Sequence, residues 1–274
     1  MVAELCIHTL STGISRSLWQ GDLHLEAPNW SPDGRSLIVN GDGRLYRFDL
    51  DTEALTQIDT GRHDRLNNDH GPSPDGTKIA FCDKVDTGKS CIYTLTLDKG
   101  SVDRITPNVP SWFHAWSPDG RRMTYTAVRD GQFGIFTCAA DGRDERCLVT
   151  SAHHYDGPDY TPDGAWIWFN SARGGPASDL WRIRTDGTGL QQMTHSDRVE
   201  WFPHPSPDGA HVLYLSYPEG TQGHPFGMDV ELRLMPAQGG APVTIEKLYG
   251  GQGSLNVPCW APDGHAFAYM RYHR

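Results

Sequence analysis

Short apolar runs alternate with polar turns along the whole chain, too closely spaced for helices. Ser36-Leu37-Ile38-Val39 and Lys78-Ile79-Ala80-Phe81 are compact runs of the kind that form buried strands. Gly134-Ile135-Phe136-Thr137-Cys138 and Leu180-Trp181-Arg182-Ile183-Arg184 follow a period of two, which predicts strands with one buried face. No extended stretch carries helical periodicity, so an all-β chain is expected.

The turns repeat. Ser/Thr/Ala-Pro-Asp-Gly begins at Ser31, Ser73, Ser117, Thr161, Ser206 and Ala261, at spacings of 42, 44, 44, 45 and 55 residues. Pro presets φ, Asp bonds its own backbone and Gly accepts positive φ, so each tetrapeptide can join two antiparallel strands. An aromatic residue or Pro precedes each turn: Trp30, Pro72, Trp116, Tyr160, Pro205 and Trp260. Each unit holds four strands, which is one blade of a β-propeller. After the sixth turn only one strand remains, His265 to Tyr272. The N-terminus can supply the missing outer pair with Glu4 to Leu10 and Ile14 to Gln20. The expectation is therefore a six-bladed β-propeller of four-stranded antiparallel blades, one domain over residues 1–274. Residues 1–20 complete the blade begun by 256–274, which removes free sheet edges.

Trp116 to Gly120, Arg129-Asp130-Gly131 and Asp141-Gly142 in the third unit, and Tyr160 to Gly164, Arg173-Gly174-Gly175 and Asp186-Gly187 in the fourth, carry a further pattern. It resembles the repeat of the TolB-type propeller family, and the resemblance covers nearly the whole chain. It implies a six-bladed propeller. It is specific for fold and weak for function, because propellers host many activities.

Composition narrows the partners. The formal net charge of −10 disfavours nucleic acid. No apolar run is long enough for a membrane span. The start Met1-Val2-Ala3-Glu4-Leu5-Cys6 lacks the basic and apolar regions of a leader peptide. A cytoplasmic protein is expected if Met1 is the native start, and a periplasmic one if a leader was trimmed. A monomer is expected. Of six cysteines, Cys82 with Cys91 and Cys138 with Cys147 fall on neighbouring strands. Buried thiols are favoured over cross-strand disulfides, and no Cys-x-x-Cys suggests a zinc ribbon.

In a propeller the first strand of each blade lines the channel, and the loops entering it converge on the rim opposite the repeated turns. Functional side chains gather there. Five positions before each turn stand Glu26, Asn68, Trp112, Asp156, Trp201 and Asn256; His70 and His114 stand three before, and His204 two before. With Asp69 and His154 from the entering loops, these residues are the candidate ligand site. Imidazole with carboxylate suits manganese, zinc or iron better than calcium, so His70, His114 and His204 are the candidate ligands of a divalent metal. Trp112 and Trp201 could stack sugar rings or pack between blades. Arg65 or Arg198 could hold a sugar acid.

Two functions compete. One is a binding or interaction module for a small polar ligand, a sugar or a peptide. The other is a metal-assisted lyase or hydrolase acting on carbohydrate in the same pocket, since oligogalacturonate lyases are similar in joining such repeats to a His-rich manganese site. No Gly-x-Ser-x-Gly elbow or phosphate-binding loop is present.

Overall fold

A computed structural model describes residues 1–274. Five complete antiparallel blades follow in chain order. Their innermost strands are Leu25–Trp30, Leu66–Pro72, Ser111–Trp116, Tyr155–Tyr160 and Val199–Pro205, and each sheet continues outward through three more strands. We number these blades 1 to 5. Blade 6 is shared between the chain ends: Ala266–His273 pairs with Val2–Thr9, which pairs with Ile14–Gly21.

Blade 6 departs from the expected four strands at its inner edge. Only one bridge, Trp260 to Phe267, stands where the innermost strand would run. A short 3₁₀ turn at Gln252–Ser254 takes up the chain before it. The Asn256 side chain instead reaches blade 2, donating to Asn68 O and to Asp69 Oδ1, each at 3.1 Å.

The repeated turns build the lower rim. In the first, Ser31 Oγ donates to Asp33 Oδ1 at 2.6 Å, Asp33 accepts from Arg35 N at 3.1 Å, and Gly34 N closes the turn onto Ser31 O at 2.9 Å. The turn glycines are all left-handed, with φ of 69° at both Gly120 and Gly164. They also mark the blade contacts, because a Cβ on Gly34, Gly76, Gly120, Gly164, Gly209 or Gly264 would touch a proline of the preceding blade's turn, from Pro262 round to Pro207. Replacing Gly120 with Val should cost about 1–3 kcal/mol through backbone strain. A urea titration reads it, and an unchanged midpoint would show that the turn is not a structural determinant.

The aromatic residue before the turn fastens one blade to the last. Trp116 Nε1 donates to Gly71 O of blade 2 at 3.1 Å, and Trp260 Nε1 donates to His204 O of blade 5 at 3.0 Å. Trp30, whose preceding blade is the reduced blade 6, has its Nε1 buried without a partner. Apolar clusters fill the spaces between blades, the largest holding Trp201, Leu213, Leu232 and Tyr269. All six cysteines are free thiols, and only Cys147 is exposed. In both hairpins the paired strands offset the sulfurs: Cys91 faces Asp83 and Cys147 faces Phe136.

Candidate functional site

Every innermost strand of blades 1 to 5 breaks register at the positions where the candidate residues lie, for example between Asp156 and Asp159 and between Trp201 and His204. Such bulges re-aim side chains that a regular strand would send alternately up and down. In blades 1, 4 and 5 the bulge holds a left-handed residue: Ala27 at φ 56°, Gly157 at 60° and Phe202 at 54°. Phe202 is a bulky residue in that region, and Asn170 Oδ1 supports it by accepting its backbone N–H at 3.0 Å.

The bulges bring Asp69, Trp112, His154 and Asp156 to one cavity of about 200 Å³ at the upper end of the channel. Asn67, Thr126, Phe133, His224 and Gln252 complete its wall. Asp156 is the hub. It accepts from His114 Nε2 at 2.9 Å, from Thr126 Oγ1 at 3.1 Å and from Gly157 N at 3.0 Å. His224 Nε2 lies 3.5 Å from its other oxygen. Burial alone would raise the Asp156 pKa, but the His114 hydrogen bond and the nearby imidazoles reverse this and hold the carboxyl well below its usual range. Burial would lower His114, yet its bond to Asp156 and the charges of Asp156 and Asp69 raise it. His224 is lowered by burial, against the pull of Asp156.

Asp69 has the opposite environment. Asn67 Nδ2 and Asn256 Nδ2 donate to it, but no cation pairs with it. Burial pushes its pKa up to about 7, and Asp156 and Glu26 add to the rise. Glu26, Asn68 and Asn256 stand behind the cavity as a hydrogen-bonded wall. Asn68 Nδ2 donates to Glu26 Oε1 at 3.4 Å, and Gln252 Nε2 donates to Asn68 Oδ1 at 3.3 Å.

One wall is aromatic. Trp112 stacks on Phe133 with ring centres 6.1 Å apart, and His154 lies 4.4 Å from Phe133. Trp201 is buried, not offered as a platform in this cavity; it borders a neighbouring cavity of about 240 Å³ behind His154 and His224. His224 arrives on the connection between His211–Tyr217 and Met228–Pro236, which Tyr217 Oη fastens by donating to Pro225 O at 3.2 Å.

The proposed metal ligands do not converge. His70 turns to blade 1, donating to Asn40 Oδ1 at 3.3 Å, and burial pushes its pKa down to about 3. His114 turns the other way, to Asp156 on blade 4. His204 lies lower, with Nδ1 donating to Asp159 Oδ2 at 3.0 Å. The bulges send equivalent positions in opposite directions, and no group of three or more His, Cys, Asp or Glu side chains is arranged to hold a metal ion. Arg65 and Arg198 do not border the cavity. Counting back from the turns missed Thr126, which is on a second strand, and Gln252, which stands in the segment replacing the blade 6 inner strand.

The profile of the TolB β-propeller domain matches residues 108–235. An uncharacterised protein of Agrobacterium fabrum is 45% identical over 99% of this chain and 93% of its own length. A solved structure from Agrobacterium tumefaciens, described provisionally as TolB, superposes with a TM-score of 0.97 at 44% identity, covering 100% of this chain and 99% of that one. The Tol-Pal system protein TolB of Francisella tularensis is 26% identical over 89% of this chain, and the chain spans 56% of its length. An oligogalacturonate lyase in complex with manganese shares the fold at a TM-score of 0.59 and 16% identity, covering 89% of this chain and 72% of that one. No helix here is long and apolar enough to cross a membrane.

Proposed function

Because the chain belongs to the TolB-type β-propeller family, we propose that it is a binding module whose upper cavity takes a small polar ligand. The observation that carries this reading is the Asp156 hub. A buried, ionised carboxylate is held by His114, Thr126 and a backbone N–H, with His224 beside it and an aromatic wall opposite. Polar groups fixed at the end of an aromatic-walled cavity give orientation and specificity. The volume of about 200 Å³ is below the usual range for drug-sized ligands, so the ligand is small or inserts only one group, such as a sugar ring or one side chain of a peptide.

The metal-assisted carbohydrate reading loses its support with the dispersal of His70, His114 and His204. What remains for it is likeness of fold to the lyase, which names no activity.

Crystals soaked with a library of small polar fragments test the binding reading. Fragments should collect between Asp156, His224 and Trp112. Replacing His224 with Ala should weaken them about tenfold, the worth of one hydrogen bond to a charged group. Fragments that avoid this cavity, or that bind the variant equally well, would defeat the proposal.

A further inference from the structure

His114 links two cavities: its Nε2 donates to Asp156, which lines the upper one, and its ring lines a lower one. The lower cavity, at the end of the channel ringed by the repeated turns, has a volume of about 190 Å³ and reaches down to Pro32 and Pro74. Three side chains lining this lower cavity have a buried polar atom unspent: the Trp30 Nε1 donor and an atom each on Asn29 and His114. Asn29 is 2% exposed, and its Nδ2 donates to Pro258 O at 2.8 Å, which leaves Oδ1 buried without a partner. His114 is also 2% exposed; with Nε2 donating to Asp156, its Nδ1 is buried without a partner. In the neutral ring that nitrogen is an acceptor. Asp159 also lines it, with a carboxyl group whose Oδ2 accepts from His204 Nδ1 at 3.0 Å.

The remaining wall is apolar and aromatic and includes Trp30, Trp116 and Trp260. Of the 13 residues lining the cavity none is Lys or Arg. Acceptors, a carboxyl group and indole rings with no Lys or Arg among them are, while His114 is neutral, the chemistry that receives an organic ammonium ion. Its N–H groups would find the acceptors, and its charge the carboxylate and the ring faces. We propose that the lower end of the channel is a second binding site, for an organic ammonium group, linked to the upper site by the His114–Asp156 hydrogen bond.

The shared ring couples the two ends. A proton on His114 Nδ1 removes an acceptor and places positive charge beside the ammonium group. His114 is faced by Asp156 and Asp69 above and by Asp159 with His204 below. Ammonium binding should therefore weaken as pH falls and His114 takes up its proton.

The test compares benzylammonium with its neutral counterpart benzyl alcohol on the unmutated chain. The readout is the indole N–H resonance of Trp30, identified by its loss in Trp30→Phe. Benzylammonium should shift that resonance saturably and bind about tenfold or more tightly than the alcohol, as a desolvated cation over aromatic rings does. Asp159→Asn should bring the two probes close together while Asp103→Asn, on the exposed outermost strand Ser101–Arg104, leaves the difference intact. Equal binding of both probes, or no saturable shift with either, would overturn the proposal. A probe that moves only resonances around Trp112 would assign its binding to the upper cavity and overturn it too. Where Asp159→Asn fails to fold, the two-probe comparison on the unmutated chain decides alone.

Discussion

A chain lacking residues 1–21 should lose its cooperative thermal transition and associate through an open sheet edge. Val2–Thr9 runs in continuous register with Ala266–His273, from Val2 opposite His273 to Thr9 opposite Ala266. The missing segment carries Leu5, Ile7 and Leu18, all buried in one cluster with Leu37, Met270 and Tyr272. Burying three such side chains contributes roughly 5–9 kcal/mol, which rivals the whole stability of an ordinary domain, about 5–15 kcal/mol. Polar contacts add to the loss. Glu4 is buried and takes Arg271 on both oxygens, at 2.5 and 2.8 Å, with His273 at 2.6 Å. The Arg271 hydrogen bonds hold the Glu4 carboxyl far below its usual range against the penalty of burial. Without the N-terminal strands, Ala266–His273 would keep only the single bridge at Trp260 on its inner side and present a bare edge outward. Circular dichroism melting with size-exclusion chromatography reads the outcome. A truncated chain that remains monomeric and melts cooperatively within a few degrees of the full chain would mean that the ends do not close the ring.

The closure was readable because the sixth unit stops one strand after its turn, and only the first twenty residues remained to finish it. Turn chemistry made the ring count readable, since Pro-Asp-Gly states its own backbone geometry. The inner edge of blade 6 was not readable, because residues 256–260 look like the other first strands. What departs is the backbone, with the 3₁₀ turn at Gln252–Ser254 placed before it and the Asn256 side chain drawn to blade 2. At the candidate site the offset from the turn placed Trp112 and Asp156 near the upper rim, the entering loops added Asp69 and His154, and those four share a cavity. The offset failed for His70 and His114, which hold the same repeat position and point to opposite neighbours. Side-chain direction at a bulge follows local φ, and residues such as Ala27 and Phe202 enter the left-handed region with no glycine to announce it. The aromatic residue before each turn was visible as a repeat. Its role, a hydrogen bond from Trp116 or Trp260 to the preceding blade, depends on neighbours that only the closed ring supplies.

Replacing Asp69 with Asn should stabilise the protein at neutral and alkaline pH while it alters the upper cavity. The Asp69 pKa rises from 3.8 to about 7 in the fold. Between those values the folded chain keeps a proton that the unfolded chain has released, so stability falls as pH rises through this window and is flat above it. At about 1.4 kcal/mol for each pH unit crossed, the loss between pH 4 and pH 7 comes to about 4 kcal/mol. Two neighbours titrate with other signs. Asp156, depressed in the fold, contributes stability present above its unfolded value and lost only in acid as pH falls through its folded value. His114, raised in the fold, contributes stability that is full below its ordinary value of 6.5 and is lost as pH rises through its folded value. Asparagine at position 69 removes the first slope and, by removing one of the charges that raise His114, lessens the third. It does not recover the full amount, because Asn67 Nδ2 and Asn256 Nδ2 both donate to this side chain and an amide has one oxygen where the carboxylate has two. One orphaned donor costs about 1–3 kcal/mol, so the net gain at pH 8 should be about 1–3 kcal/mol, shrinking as pH falls toward 4. Melting temperatures of both chains from pH 5 to pH 8 supply the check, and curves that run parallel would show that Asp69 titrates normally in the fold. A carboxylate held at such a cost, with no ion pair of its own, fits the proposed ligand site better than a role in stability. The same variant should therefore bind hydrogen-bond-donating fragments in the upper cavity more weakly even as it melts at a higher temperature.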